Sequence, residues 1–176
     1  MNFADKISVK ILTAMASDPE REFYQREVSK LADVSIGATS QTLKKLSKDE
    51  LVTLRKSGRM MFYRYNLRDP VARQFKILLN VDGVHEMVQE LKEYANRIIL
   101  FGSCAEGVNV KASDTDLFVL SKNSEKVREI INSYEIKLGR KLSPIVVSAN
   151  EFRQLRSRDM PLYERINKGI VLWETK

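Results

Sequence analysis

The amino-acid sequence predicts an α+β protein with two domains: a helical domain that carries a β-hairpin, then an α/β domain with a small mixed sheet. Segments of helical periodicity and a pair of alternating segments fill the chain up to Leu67. From about Arg97 onward, short apolar runs alternate with amphipathic segments, which is typical of strands and helices packed in layers. We therefore expect domains at 1–69 and 97–176, with connecting helices at 70–96.

The composition is that of a globular chain, and it excludes several kinds of site. Of the 176 residues, 43% are hydrophobic and 30% are charged. No apolar run approaches the ~20 residues of a membrane span, and the opening MNFADK lacks the pattern of a secretory signal. We expect a cytoplasmic protein without membrane contact. Because Cys104 and His85 are the single cysteine and histidine, a metal would need carboxylate ligands, which suit Mg²⁺ or Mn²⁺.

Three helices are predicted in the first domain, over residues 6–16, 24–32 and 36–48. Ser35 is placed to cap the third of them. The helical spacing predicts that ten apolar side chains point inward: Ile7, Ile11, Leu12, Met15, Val28, Leu31, Ala32, Ile36, Leu43 and Leu46.

The third helix has a polar and basic face. Gln41, Lys44 and Lys48 follow one another at spacings of three and four residues, so they form one stripe. Small residues at 37–40 allow the start of this helix to approach another surface closely. The helix is therefore a candidate for insertion into a partner.

A β-hairpin with a basic tip is predicted around Ser57-Gly58, from alternating segments at 51–56 and 59–67. The net charge of the chain is +7, and residues 1–75 carry 14 Lys and Arg against 9 Asp and Glu. Such an excess of positive charge indicates polyanion binding, because each contacted phosphate releases condensed counterions. A solvated basic surface is the alternative.

The order helix, helix, turn, helix, hairpin resembles the winged-helix DNA-binding domains of prokaryotic transcription regulators. The resemblance covers about residues 5–68 and lies in FYQREVSKLADVSIGATSQTLKKLSKDELV, the SGR wing and YRYNL. It implies that the third helix enters the major groove of double-stranded DNA and that the wing contacts phosphates or the minor groove. Some winged helices dock proteins instead, which is the alternative. The implied DNA-binding residues are Gln41 for an adenine edge, Lys44 or Lys45 for a guanine edge, and Lys48, Arg55, Lys56 and Arg59 for phosphates.

Two carboxylates in the second domain indicate metal chemistry. The apolar run IILF at 98–101 predicts a strand, and Gly102-Ser103 follows it directly. After ten intervening residues come Asp114 and Asp116, at the start of the strand LFVLS. Side chains alternate in a strand, so both carboxylates are expected on one side, where a cation would relieve their repulsion. Gly102 would allow a phosphate close to the backbone, and Ser103 offers a hydroxyl and an N–H to it.

The stretch FGSCAEGVNVKASDTDLFVLS resembles the DNA polymerase beta nucleotidyltransferase superfamily in its minimal form. The resemblance implies that Gly102, Ser103 and Ser113 bind ATP or another nucleotide, with Gly102 and Ser103 at its triphosphate. It implies Asp114 and Asp116 as the catalytic and metal-binding residues. The sequence departs from the family on the predicted strand at 142–148, which carries no third carboxylate; the nearest acid after it is Glu151. This departure weakens a second metal site and general-base assistance.

The remaining elements complete the expected fold. Between the two domains, helices are predicted over 71–81 and 83–97, with apolar stripes that pack in the core or form a dimer contact. Cys104 is expected to be buried, whereas Arg97 and Lys111 are open to either a phosphate-neutralising or a solvated role. The later helices are predicted over 125–138, 149–155 and 162–169, and a last strand over 170–173.

Two functional hypotheses follow. The first is a DNA-binding enzyme that transfers a nucleotide, AMP from ATP, to a protein or nucleic-acid hydroxyl. Resemblance to minimal nucleotidyltransferase antitoxins implies a HEPN-type toxin, or another protein, as acceptor. The alternative is a transcriptional regulator whose second domain is catalytically inactive and binds a nucleotide or a protein partner. Since readers of inverted repeats are usually two-fold dimers, we expect a homodimer.

Overall fold

The computed structural model describes residues 5–175, and residues 1–4 and 176 of the two predicted domains lie outside the described residues. The chain divides into two compact units, one up to Lys76 and one from Ile77. Helices and strands are mixed in both, so the predicted α+β class is confirmed. In the range that the structure describes, every helix is too short or too polar to cross a bilayer.

The first unit packs three helices against a small antiparallel sheet with strand order β1-β3-β2. The predicted helices over 6–16 and 36–48 are confirmed. The helix predicted over 24–32 begins one residue later, at Gln25, because Phe23-Tyr24 pairs with the hairpin. In chain order the elements are α1 (Lys6–Ala16), β1 (Phe23–Tyr24), α2 (Gln25–Ala32), α3 (Ile36–Lys48), β2 (Val52–Ser57) and β3 (Met60–Tyr65).

Side-chain caps fix where these helices begin. The Asp5 carboxylate accepts hydrogen bonds from the backbone N–H groups at the start of α1, and Ser35 Oγ accepts one from Ala38 N at 3.3 Å at the start of α3. Glu27 reaches back to accept from Tyr24 N at 2.8 Å. The predicted cap at Ser35 is therefore confirmed.

Three of the ten predicted core side chains are exposed, and those predictions are wrong. Ile7, Leu31 and Ile36 are 37%, 57% and 53% exposed. Each lies in the first or last two residues of its helix. The seven others, including Leu43, are buried.

The hairpin turn lies one residue later than predicted. Ser57 pairs with Met60, so Gly58 and Arg59 are the two turn residues. Gly58 has a φ of +58°, the conformation that two-residue hairpin turns require and glycine adopts without strain. The basic tip of the hairpin is thus Lys56 to Arg59.

The connecting segment differs most from expectation. It forms α4 (Pro70–Gly83) and α5 (His85–Leu91), and the predicted helix over 83–97 is too long because β4 (Ala95–Phe101) begins at Ala95. In α4, Phe75 is buried whereas Val71 and Leu78 are exposed, so the predicted stripe is only partly correct. The apolar stripe of α5 is buried as predicted.

A mixed four-stranded sheet with order β6-β5-β4-β7 forms the centre of the second unit, as predicted. Its two middle strands, β4 and β5, are antiparallel, β7 joins β4 antiparallel, and β6 joins β5 parallel. The remaining elements are α6 (Gly102–Glu106), β5 (Thr115–Ser121), α7 (Ser124–Leu138), β6 (Leu142–Val147), α8 (Ala149–Arg158), α9 (Met160–Asn167) and β7 (Ile170–Glu174).

Both faces of this sheet are covered by helices. One face packs Ile98, Leu100 and Leu117 against α5 and α7. The other packs Ile99 and Phe118 against side chains of α8 and α9. Alternate residues of the central strands are therefore buried on opposite faces, which holds the end of β4 and the start of β5 in place.

We predict that Leu43→Ala lowers the free energy of unfolding by about 2–5 kcal/mol, because Leu43 is fully buried and its removal leaves a cavity. Ile36→Ala in the same helix should change it by no more than about 0.5 kcal/mol, since Ile36 is exposed. Denaturant unfolding followed by circular dichroism measures both. Equal losses would contradict the burial pattern of α3.

Candidate functional site

A glycine corner connects β4 to α6 and lies against one of the two aspartates. The register of the central strands pairs Phe101 with Asp116, which brings Asp116 beside Gly102. Gly102 has a φ of +66°, and a Cβ atom there would lie 2.2 Å from Asp116 Oδ2. Glycine is therefore required twice over, by its backbone conformation and by the carboxylate that fills the space of a side chain.

The two predicted carboxylates have different surroundings. Asp114 precedes β5, and its Oδ2 accepts hydrogen bonds from Lys141 Nζ at 2.6 Å and Ser143 Oγ at 3.0 Å. The hydrogen bond from Lys141 is the largest cause that lowers the pKa of Asp114, and the hydrogen bond from Ser143 is the next. Burial raises the pKa of Asp116, the nearby Arg165 cation opposes that shift, and the charge of Asp114 adds to it. The two carboxylates are thus near enough to repel each other electrostatically.

Three cations around this pair were missed by the sequence reasoning: Arg140, Lys141 and Arg165. Thr115 N donates to Lys141 O at 2.9 Å, so the residues just before β6 lie beside the start of β5. Arg165, on α9, has its guanidinium carbon 5.7 Å from the centre of the Phe101 ring. A basic pair directly before a predicted strand was the available signal for Arg140 and Lys141, whereas nothing local marked Arg165.

A network of polar groups shapes the loop between Ser103 and Asp114. Asn80 Nδ2 donates to Cys104 O at 2.9 Å and to Asn109 Oδ1 at 2.8 Å, although the sequence reasoning gave neither asparagine a role. Ser113 Oγ accepts from Val110 N at 2.9 Å, so this hydroxyl closes a turn of the loop. The loop thereby returns the chain from α6 to Asp114.

Cys104 is fully buried, as predicted, and Arg140 donates to its Sγ at 3.0 Å. Its neighbour Ser103 is half-buried at the second position of α6. Arg97 lies near the other end of β4 and forms an ion pair with Glu174 at 3.3 Å. Lys111 lies in the loop between α6 and β5 and is exposed.

The described residues supply two carboxylates to the site and no third. Where the strand β6 passes Asp116, the residue in register is Ser143. Glu151 is engaged at the start of α8, where it accepts from Ser148 N and Ser148 Oγ, both at 2.7 Å. Among residues 5–175 no cluster of three or more His, Cys, Asp or Glu side chains is placed to hold a metal. Two carboxylates still fit Mg²⁺, which usually completes its shell with water and substrate phosphates.

The seven predicted DNA-binding residues of the first unit are all exposed. Gln41, Lys44 and Lys48 lie on the outer face of α3 as expected. Two others are engaged within the unit. Lys45 Nζ lies 3.6 Å from Asp5 Oδ2, and Arg55 forms two hydrogen bonds to the Glu22 carboxylate at 2.7 and 2.6 Å.

A comparison with protein families identifies a domain within the second unit. A family model described as a nucleotidyltransferase domain matches residues 82–169, which is half of the chain. The protein named "Putative protein adenylyltransferase MJ1305", from Methanocaldococcus jannaschii, is 34% identical over 88 residues. That match covers 43% of this chain, and the chain spans 58% of the length of this curated relative.

Two solved structures are also similar. One, from Sulfolobus solfataricus, carries the description "putative nucleotidyltransferase"; it is 17% identical with a TM-score of 0.37, over 58% of this chain and 86% of that one. The other is TrmBL2, an archaeal chromatin protein described as showing a novel mode of DNA binding. It is 13% identical with a TM-score of 0.34, over 95% of this chain and 72% of that one.

We predict that Gly102→Ala destabilises the second unit by more than about 2 kcal/mol, because the new methyl group meets Asp116 Oδ2 and the backbone conformation costs about 1–2 kcal/mol by itself. Combining it with Asp116→Ala removes the clashing atoms, so the added cost of Gly102→Ala should fall to the conformational part. Unfolding followed by the fluorescence of Trp173, the single tryptophan, measures both. The same cost in both backgrounds would contradict the contact.

Proposed function

Because the chain belongs to the nucleotidyltransferase domain family, we propose that residues 97–176 transfer a nucleotide, AMP from ATP, to a hydroxyl group of a protein or nucleic acid. The observation that carries the proposal is the pair Asp114 and Asp116 beside the Gly102 corner. The likeness to a relative named as an adenylyltransferase supports AMP as the transferred group.

Each residue of the site has a proposed role. Asp114 and Asp116 would hold Mg²⁺ or Mn²⁺, which when bound would neutralise negative charge on the phosphate oxygens. Gly102 and Ser103 would lie along the triphosphate, and Ser113 would maintain the loop that carries Asp114. Arg140, Lys141 and Arg165 would add positive charge toward the phosphates. No residue is proposed as general base.

A second candidate function is supported by the absence of a third carboxylate among the described residues. In that case the domain would bind a nucleotide or a protein partner without turnover, and the chain would act as a transcriptional regulator. Separate measurements of ATP binding and of AMP transfer distinguish the two functions. Tight binding without transfer selects the regulator.

For the first unit we propose double-stranded DNA binding by a winged helix-turn-helix domain. Support comes from the exposed polar face of α3 and from the basic hairpin tip. Gln41 and Lys44 would read bases, and Lys48, Lys56 and Arg59 would contact phosphates. Lys45 and Arg55 would first have to leave Asp5 and Glu22. A homodimer on an inverted repeat, and a HEPN-type toxin or another protein as AMP acceptor, complete the proposal.

We predict that Asp114→Asn and Asp116→Asn each lower Mg²⁺-dependent AMP transfer by at least about a hundredfold, because each removes a charge that holds the ion. The assay follows label from ATP to proteins encoded beside the gene. Glu129→Gln, an equal charge change on the outer surface of α7, is the matched control. Unchanged transfer by either Asn variant would contradict the metal assignment.

We predict that the double variant Lys48→Gln/Lys56→Gln weakens binding to a duplex of mixed sequence and reduces its salt dependence. Each lost phosphate contact should lower the slope of log affinity against log salt by about 0.9. Fluorescence anisotropy over a series of salt concentrations measures the slope. Lys10→Gln, an exposed site on α1, is the control. An unchanged slope in the double variant would argue for protein docking instead.

A further inference from the structure

Asp114 is already paired with a cation of its own chain. Lys141 Nζ and Ser143 Oγ both donate to Asp114 Oδ2, at 2.6 and 3.0 Å. The carboxylate that the proposed function assigns to a divalent ion therefore accepts two hydrogen bonds within the protein. Since an ammonium group and a divalent ion both require the lone pairs and the negative charge of this carboxylate, they compete for it.

The backbone of Lys141 is fixed beside Asp114, whereas its side chain is exposed. Lys141 O accepts from Thr115 N at 2.9 Å, and the next residue, Leu142, pairs with Thr115 in the sheet. The Lys141 side chain is 69% exposed. The ammonium group can therefore leave Asp114 by rotation about side-chain bonds alone, and the fixed backbone keeps it within reach of the site.

The charges of the site make this exchange more favourable when a nucleotide is present. Asp114 and Asp116 together carry two negative charges, and Lys141 and Arg165 are the cations that interact most strongly with them, one with each. A divalent ion on the aspartates makes the Lys141 charge surplus there. The phosphates of a bound nucleotide then offer it a new anionic partner.

We propose, on the basis of the proposed function, that Lys141 is a built-in counter-ion for Asp114 that transfers to a nucleotide phosphate when Asp114 holds a divalent ion. Lys141 thus restrains metal binding by the empty site and strengthens binding of the metal together with nucleotide. The residue acts through Asp114 in the first state and contacts the nucleotide in the second.

Lys141→Met keeps most of the side-chain length and removes the charge, so it separates the two states. The free Mn²⁺ signal in electron paramagnetic resonance gives the affinity for Mn²⁺ alone, and calorimetry with Mn²⁺ present gives the affinity for ATP. Lys141→Met should bind Mn²⁺ up to about fivefold more tightly than the unmodified chain, the range expected for an exposed ion pair. It should bind ATP with Mn²⁺ up to about fivefold more weakly.

The matched control is Lys111→Met, which removes the same charge from the exposed loop between α6 and β5 without a hydrogen bond to either aspartate in the described residues. Opposite changes in the two affinities that exceed those of Lys111→Met support the exchange. If Lys141→Met binds Mn²⁺ no more tightly than Lys111→Met, or binds ATP equally well, the exchange is wrong. If Lys141→Met binds Mn²⁺ and the unmodified chain does not, this result also supports the exchange. If neither the unmodified chain nor any variant binds Mn²⁺, the proposed function itself fails.

Discussion

The pairing of β4 with β5 is the constraint on which the site depends. It places Asp116 opposite Phe101, and therefore against the residue at which the chain turns out of the sheet. The carboxylate occupies the space that a side chain at Gly102 would need. Because the two strands are buried on both faces, their register cannot shift without exposing large apolar side chains. The core of the second unit thus fixes the position of a partly buried charge.

Much of this arrangement is predictable from the sequence because it is local. The Gly-Ser corner, the spacing to the aspartates and the strands on either side all lie between residues 98 and 121. The helix cap at Ser35 is also local and is correctly predicted. By contrast, Lys141 and Arg165 lie 27 and 49 positions beyond Asp114 and Asp116, and only the sheet pairing and the packing of α9 bring them near.

The errors have a common physical origin. Periodicity assigns a side to each residue of a helix, but it does not say where along the helix the neighbouring elements stop. Ile7, Leu31 and Ile36 lie on the predicted faces within two residues of a helix end, and they are exposed. Buried Lys76 is the converse case: its Nζ donates to Ala16 O at 2.6 Å, so a charged residue occupies a position that the apolar stripe of α4 did not include.

One further glycine connects the core to the charge of the site. A Cβ atom at Gly169 would lie 2.5 Å from Leu100 O and 2.6 Å from a methyl carbon of Ile99, so β7 and the end of α9 can approach β4 only without a side chain there. Arg165 lies one helical turn earlier, on the same α9. A substitution at position 169 can therefore affect the electrostatics around Asp116, although residues 169 and 116 are far apart along the chain. An enlarged residue 169 would force β4 apart from the end of α9, the helix that carries Arg165, while leaving the Gly-Ser and Asp-x-Asp signature intact, so an inactive variant could carry an unaltered motif.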